Sequence, residues 1–317
     1  MPTQTEAGKA FEFALLTQFF HHLNGVCRIR INKDESYQNA IKCFELFSSS
    51  SQNKYLKAAE AAVHHILELE PRLADPINEN DTLELEIAPD SAGIKGDVRD
   101  ILFIRSSQNW EIGISAKNNH KAVKHSRLSA SINFGREWLN ISCSQNYFSK
   151  VKPIFNELKD LRSAGQLWCN LENKQSRFYV PILNAFKEEL LFLDHVYPTI
   201  VPENLLKYLL GNKDFYKVIK RPKVTEIYGF QLQGTLNKSA VNKKPRFSVT
   251  RVKLPSRIIE LAFKANSGDT LLLTFDQGWQ ISFRIHNASK SVEPSLKFDI
   301  NIIGQPQTLY SHHSYWD

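Results

Sequence analysis

The amino-acid sequence predicts an α/β fold, in which a mixed sheet flanked by helices precedes a β-rich C-terminal region. Apolar residues recur at helical spacing in the first seventy residues, and they alternate with polar residues in the stretches that follow. A third observation is that strand-like segments dominate beyond residue 258. The composition changes softly between residues 211 and 223, so we expect a core domain at 1–212 and a basic, β-rich region at 213–317.

The N-terminal half supplies the expected helices and the first strands. The first helix is predicted over residues 5–24, because five large apolar residues fall on one stripe there. A second helix is predicted over 54–70, ending at Pro71. Residues 82–87, 100–105 and 110–117 read as strands, and the last two are joined by a short polar turn. These three strands predict a meander or hairpin.

The remaining chain is predicted to be helical first and extended later. We expect mostly helix over residues 121–162, a strand and a helix within 172–193, and a helix at 202–210. Four strands are expected at 258–264, 270–275, 279–285 and 296–303. The tripeptide Asp276-Gln277-Gly278 is a hairpin connection between two of them.

Composition restricts the class of protein. With 42% hydrophobic residues in 317, the chain can bury a sizeable core, so disordered and fibrous classes are excluded. A net charge of +7 favours a polyanionic partner. The four cysteines form no CxxC pair, which argues against a cysteine zinc site. Neither a signal-peptide h-region nor an apolar run of about 20 residues is present, so a cytoplasmic protein without membrane contact is expected.

The stretch most informative about chemistry is the hairpin at residues 96–119. Asp97 and Asp100 stand at the start of one strand, and Lys117 stands near the end of its partner strand. Ser115 and Lys117 share a face because side chains alternate along a strand. Carboxylates hold Mg²⁺, and a neighbouring lysine can stabilise negative charge at a phosphate. Asp100 and Lys117 are therefore the predicted catalytic pair for phosphodiester hydrolysis, with Asp97 as a weaker metal ligand.

This order of acid, strand, turn, strand and lysine resembles the PD-(D/E)xK nuclease superfamily. Two departures are evident, because Ser115 occupies the place of an acid and Gly96 precedes Asp97 where proline is usual. The missing carboxylate is sought on a helix. Glu12 lies within the apolar stripe of the first helix, where it must be paired with a cation or bound to metal. Glu60, at the edge of its stripe, is either a second metal candidate or an exposed charge.

Four sequence segments carry a more specific resemblance. They are ISAKNNHKAVKHSRLS, INFGREW, CSQNYF and PIFNEL. Together with their surroundings, roughly residues 11–161, they resemble the HaeIII family of type II restriction endonucleases. That resemblance implies a PD-(D/E)xK core, Mg²⁺ as cofactor, and double-strand cleavage of DNA at GGCC between the central G and C.

Two basic stretches are candidates for contacting DNA. The residues after Lys117 are rich in hydrogen-bond donors and include no acid before Glu137. Residues 213–257 hold twelve Lys or Arg against two acids, a surplus larger than the net charge of the chain. Either stretch is alternatively a solvated basic surface with only electrostatic effect. The predicted DNA-binding residues are Asn118, Asn119, His120, Lys121, Lys124, His125, Arg127, Lys243, Lys244, Arg246 and Arg251. Because a palindromic site favours two-fold symmetry, a homodimer is expected, with a monomer that cuts the strands in turn as the alternative.

Three other functions remain open from the residues alone. His120 and His125 suit an HNH-type nuclease, although the ββα setting of that motif is not evident. Ser115 also suits a sequence-specific DNA-binding protein with a degenerate nuclease core. An RNA-binding module is the third option, but the sequence has no aromatic stacking motif such as RNP1.

Overall fold

The computed structural model describes residues 2–75, 81–89, 97–119 and 122–317, without the side chains of residues 122 and 123. The chain folds into two compact units that alternate along the sequence. The first unit comprises Met1–Lys121, Asn212–Val252 and Gln307–Asp317, and the second comprises Ala122–Gly211 and Lys253–Pro306. The chain passes from the second unit back to the first between residues 211 and 212, and the strands that follow complete the sheet of the first unit. The division into a core domain at 1–212 and a basic region at 213–317 stays a prediction.

Within the described residues, the first unit contains a mixed sheet of seven strands. The strands are β1 (Ile29–Ile31), β2 (Leu83–Ile87), β3 (Ile101–Arg105), β4 (Trp110–Asn118), β7 (Phe215–Arg221), β8 (Val224–Phe230) and β13 (Tyr310–Tyr315). Their order in the sheet is β1-β2-β3-β4-β7-β8-β13. The pairs β1–β2 and β4–β7 are parallel, and the other four pairs are antiparallel. The predicted meander β2–β3–β4 is confirmed, and its turn places Asn109 at φ 48°.

Helices pack on this sheet through the apolar stripe that the sequence predicted. They are α1 (Gln4–Leu23), α2 (Glu35–Glu45) and α3 (Ser49–Leu69). A capping box starts α1, since the Thr3 side chain accepts from the Glu6 N–H and the Glu6 carboxylate accepts from the Thr3 N–H. Phe11, Leu15 and Phe19 of α1 are buried in one core with apolar residues of β2, β3 and β4. The first helix and its orientation on the sheet are thereby fixed by burial.

The second unit combines an antiparallel sheet with three helices among its described residues. The strands are β5 (Ala122–Lys124), β6 (Arg127–Ser129), β9 (Ile258–Phe263), β10 (Thr270–Phe275), β11 (Gln280–His286) and β12 (Ser295–Gly304). The sheet order is β5-β12-β11-β10-β9, and β6 also pairs with β12. The helices are α4 (Gln145–Ser163), α5 (Val180–Val196) and α6 (Ile200–Leu210). All four strands expected beyond residue 258 are present.

Two expectations from the sequence are wrong. Residues 122–129 form β5 and β6 rather than helix, because they pair with β12, more than 160 residues away in the chain. Helix α4 begins only at Gln145, where the Ser144 side chain caps it by accepting from the Tyr147 N–H. No strand is found within residues 172–193, which form a short π-helical turn that continues into α5. Among the described helices, none combines the length and apolarity needed to cross a membrane.

Candidate active site

Asp100 lies where the pairing of β3 with β4 ends while β4 continues beside β7, a point called the fork below. The pairing of β3 with β4 reaches Ile101 opposite Ile114, and one more backbone bond joins the Asp100 N–H to the Ile114 carbonyl at 2.7 Å. Beyond that point β4 continues beside β7. On the edge of β4 that β3 no longer covers, the Asp100 carboxylate takes the place of a partner strand. Its Oδ2 accepts a hydrogen bond from the Ala116 N–H at 2.7 Å. The residue that precedes β3 therefore holds one carboxylate oxygen at the edge of β4 that β3 leaves unpaired.

Lys117 and Ser115 donate to the same oxygen. Lys117 Nζ is 3.0 Å from Asp100 Oδ2, and Ser115 Oγ is 3.2 Å from it. Ser115 is buried, whereas the side chains of Asp100 and Lys117 remain 23% and 28% exposed, so water and a substrate can reach them. The hairpin thus brings Asp100 and Lys117 together as expected. Their catalytic role stays a prediction.

Glu12 contributes a second carboxylate from α1. It is 6% exposed, and Lys9 Nζ lies 3.0 Å from its Oε2. Burial, followed by the negative charge of Asp100, raises the pKa of Glu12 to about 7, although Lys9 and Lys117 lower it in part. The sequence predicted that Glu12 is either paired with a cation or bound to metal. Lys9 is such a cation, and the carboxylate also lies within electrostatic range of Asp100 and Lys117.

Asp97 is occupied by a different contact. Arg99, a buried residue, donates from Nε and Nη2 to the Asp97 carboxylate at 2.8 and 2.6 Å, and its Nη1 also donates to Glu111 at 3.2 Å. Although burial acts in the opposite direction, the hydrogen bonds and charge of Arg99 hold the pKa of Asp97 below its ordinary value. Asp97 therefore positions Arg99 beside the fork, and its carboxylate is less available to a metal than that of Asp100.

Gly113 makes room for this arrangement. A Cβ atom on Gly113 would lie 2.4 to 2.8 Å from three side-chain carbons of Arg99. Arg99 thus crosses β4 in contact with the backbone of Gly113. Glu111 is also bound by Lys213 at 2.9 Å, which agrees with a structural role for this acid.

Glu60, the alternative third acid, lies apart from the Asp100 cluster. Its carboxylate is exposed on α3, close to His64 and to His22 near the C-terminal end of α1. His22 follows Glu12 by ten residues on the same helix, which corresponds to roughly 15 Å of helical rise. Glu60 therefore lies apart from the cluster formed by Asp100, Lys117 and Glu12. Its position at the edge of the apolar stripe of α3 leaves its side chain exposed.

The donors that follow Lys117 are engaged within the protein to different degrees. Asn118 is buried, and its backbone carbonyl accepts from Gln4 Nε2 at 2.7 Å. Asn119 is exposed with φ 57°, and Arg221 donates to its carbonyl at 3.0 Å. His120 and Lys121 lie outside the described residues. A DNA contact by Asn118 would need its side chain to leave the site beside Tyr55, to whose hydroxyl it is bonded.

In the second unit, three more of the predicted DNA-binding residues have intramolecular partners. Lys124 donates to the Tyr208 carbonyl at 2.9 Å and lies over the Tyr208 ring, and burial lowers its pKa to about 8. His125 is 3.0 Å from Asp299, and Arg127 donates to Ser295 at 2.9 Å. These contacts give each side chain a structural role that sequence reasoning did not foresee.

The second basic stretch is more accessible. Residues 231–252 lie outside the regular strands and helices, and Lys243 and Lys244 are exposed there. Arg246 is exposed and pairs with Glu68, and Arg251 donates to the Leu232 carbonyl at 2.9 Å. Exposed positive charge is thus retained along this segment.

Lys217 is a buried lysine beside the candidate site, and the sequence marks it only as one of the cations in the basic stretch 213–257. It lies on β7 directly beside Ser115, and paired residues of neighbouring strands face the same side. It is 6% exposed, in contrast to the solvated lysines of the same basic stretch. The only signal in the sequence is its position between apolar residues in FYKVIKR, which identifies a strand but not its neighbour.

Comparison with known proteins agrees with the resemblance in the first half of the chain and extends it. A sequence model of the HaeIII restriction endonuclease family matches residues 8–306. The type II restriction enzyme HaeIII of Haemophilus aegyptius is 43% identical over 312 residues, which cover 98% of this chain and 97% of that enzyme. No solved structure is significantly similar to the chain. Since the family match spans nearly the whole sequence, including the fork and both carboxylates, the chain belongs to the HaeIII restriction endonuclease family.

Proposed function

We propose that the protein is a type II restriction endonuclease that cuts both DNA strands at GGCC, between the central G and C, in a Mg²⁺-dependent reaction. The observation that carries this proposal is the contact of Lys117 with Asp100 at the fork between β3 and β4, with the buried carboxylate of Glu12 in electrostatic range of both. In this interpretation the mixed sheet is a PD-(D/E)xK core. Ser115 stands in place of its second acid, and Glu12 supplies the missing carboxylate from α1.

The residues of the cluster suit a hard divalent cation. All three donors that contact Asp100 meet its Oδ2, and none of the described residues donates to Oδ1. Two neighbouring carboxylates are both stabilised in their charged form when a divalent cation lies between them. Asp100 and Glu12 would therefore hold Mg²⁺, with Asp97 retained by Arg99. When bound, the ion would neutralise the scissile phosphate and lower the pKa of a water molecule.

The chain's own residues perform the remaining steps. Lys117 Nζ is held at the open edge of β4, where it can donate a hydrogen bond to a phosphate oxygen and stabilise the charge that develops there. The hydrogen bonds from Ala116 and Ser115 keep Asp100 in one orientation, which reduces the reorganisation that a reaction would require. Lys217, beside Ser115, adds positive charge on the same face of the sheet.

Recognition is assigned to the accessible basic residues. Lys243, Lys244, Arg246 and Arg251 would contact phosphates or the O6 and N7 acceptors of guanine, with Asn119 near the cleavage site. A palindromic target would be bound by a homodimer, so that each protomer presents one cluster to one strand. Sedimentation of the protein with and without a duplex tests this stoichiometry.

Digestion of defined duplexes tests the function. A duplex with a single GGCC site should be cut in both strands with Mg²⁺ and left intact with EDTA. A matched duplex carrying GCGC should survive. Specific binding without cleavage in both Mg²⁺ and Mn²⁺ would instead favour a DNA-binding protein with a degenerate nuclease core, the alternative that Ser115 suggests.

A further inference from the structure

Three side chains of the types that can bind a metal ion meet on the surface of two helices of the first unit. His22 lies near the end of α1, and Glu60 and His64 lie one turn apart on α3. One ligand atom from each residue lies within 4.8 Å of those of the other two. His64 Nε2 is 3.9 Å from Glu60 Oε1, and the rings of His22 and His64 meet edge to face at 4.5 Å between centroids.

The spacing of His22, Glu60 and His64 suits a metal site, and the three side chains contribute little to folding by themselves. Residues four apart share a helix face, so Glu60 and His64 present their side chains in one direction. His22 joins them from the other helix. The His64–Glu60 contact is at the limit of an ion pair, and both side chains are exposed, so the contact itself adds little to stability. The cluster thus has three donors that converge without a strong contact among them.

We propose that His22, Glu60 and His64 form a second metal site, which binds zinc or a similar transition ion and links α1 to α3. Two imidazoles and one carboxylate match the donors that zinc uses with water at the remaining position. Mg²⁺ prefers oxygen ligands only. Zinc would therefore bind at this site, and Mg²⁺ at the cluster of Asp100 and Glu12. The proposal does not depend on the function proposed above.

The consequence lies in the placement of α1. The same helix carries Glu12, ten residues before His22, or roughly 15 Å along the axis. An ion held between α1 and α3 would restrain the helix that presents a carboxylate to the cluster. Zinc at this site would therefore stabilise the fold without being consumed or required in the reaction.

Titration of the whole protein with Zn²⁺ tests the proposal. After removal of metals with a chelator, calorimetry should detect zinc binding that weakens at least about tenfold in His64→Ala and in His22→Ala. His21→Ala removes an exposed histidine beside the cluster and is the matched control, in which binding should persist. The site would be overturned by a wild-type protein that binds no zinc, or by equal affinity in wild type and His64→Ala.

Two further measurements keep the result unambiguous. Circular dichroism in chelator should be the same for wild type and His64→Ala, because His64 is exposed. An Asp100→Asn variant should keep the affinity of this site for zinc, which separates it from zinc bound at the fork. Zinc should raise the melting temperature of the wild type and of Asp100→Asn but not that of His64→Ala. An equal rise in His64→Ala would refute the link between α1 and α3.

Discussion

Replacing Asp100 by asparagine should separate catalysis from folding and from DNA binding. The variant keeps an oxygen that can accept the Ala116 N–H, and it loses the ion pair with Lys117. That pair is about a quarter exposed on both sides, so its loss should cost about 1 kcal/mol or less of stability. Such a loss is small compared with the free energy of unfolding of a typical domain, which is roughly 5 to 15 kcal/mol.

The expected effect on cleavage is much larger. Removing an anionic ligand of the metal should lower the single-turnover rate by about a thousandfold or more, which corresponds to about 4 kcal/mol of transition-state free energy. Affinity for a GGCC duplex should be unchanged or higher, because a negative charge near the phosphate is removed. Single-turnover cleavage at saturating enzyme, fluorescence anisotropy and urea unfolding measure the three quantities separately.

Glu84→Gln provides the matched control for this experiment. It breaks an ion pair with Arg30 on another strand of the same sheet, and no described contact joins it to the fork. Its cleavage rate should equal that of the wild type. The assignment of Asp100 is refuted if Asp100→Asn cleaves within about threefold of the wild-type rate, or if cleavage falls only in proportion to lost DNA binding.

The remaining predictions concern the surroundings of the cluster and one buried acid. Lys117→Ala should abolish cleavage and keep specific binding, and wild-type rates in that variant would exclude Lys117 from the site. Glu12→Gln should lower the cleavage rate at saturating Mg²⁺ and raise the Mg²⁺ concentration needed, as a metal titration would measure; an unchanged titration would remove Glu12. Gly113→Ala should displace Arg99, as its Cβ would lie within 2.8 Å of that side chain, and should reduce both the melting temperature and the cleavage rate. Burial raises the pKa of Glu70 to about 7 from an unfolded value of 4.5, so its stability contribution is fully present below pH 4.5 and is lost as pH rises to about 7. Glu70→Gln should therefore gain on the wild type by up to about 3 kcal/mol between pH 4.5 and 7.5 in urea unfolding, and a difference independent of pH would contradict the shift.

The parts of the site that the sequence could predict are those fixed by local pattern. The stripe of α1 placed Glu12 in the core, and strand alternation placed Ser115 and Lys117 on one face. Both inferences need only the period of a helix or a strand. The hairpin turn is short, so its register followed from the same pattern, and Asp100 came to lie beside Lys117.

What the sequence could not show depends on pairing between distant segments. β4 pairs with β7 about a hundred residues away, and Lys217 lies beside Ser115 only because of that parallel register. Strands β5 and β6 were mistaken for helix because their partner, β12, lies far along the chain. The contact of Asp97 with Arg99 likewise depends on how the chain turns before β3, which no periodicity describes.

We propose the fork between β3 and β4 as the metal-dependent cleavage centre, and anomalous scattering from a crystal of the protein with a GGCC duplex and Mn²⁺ would test that proposal. We expect an anomalous peak within about 2 Å of carboxylate oxygens of both Asp100 and Glu12, with the scissile phosphate beside it. A peak at the scissile phosphate that is coordinated by other residues, with Asp100 still bound only to Ala116, Ser115 and Lys117, would contradict it.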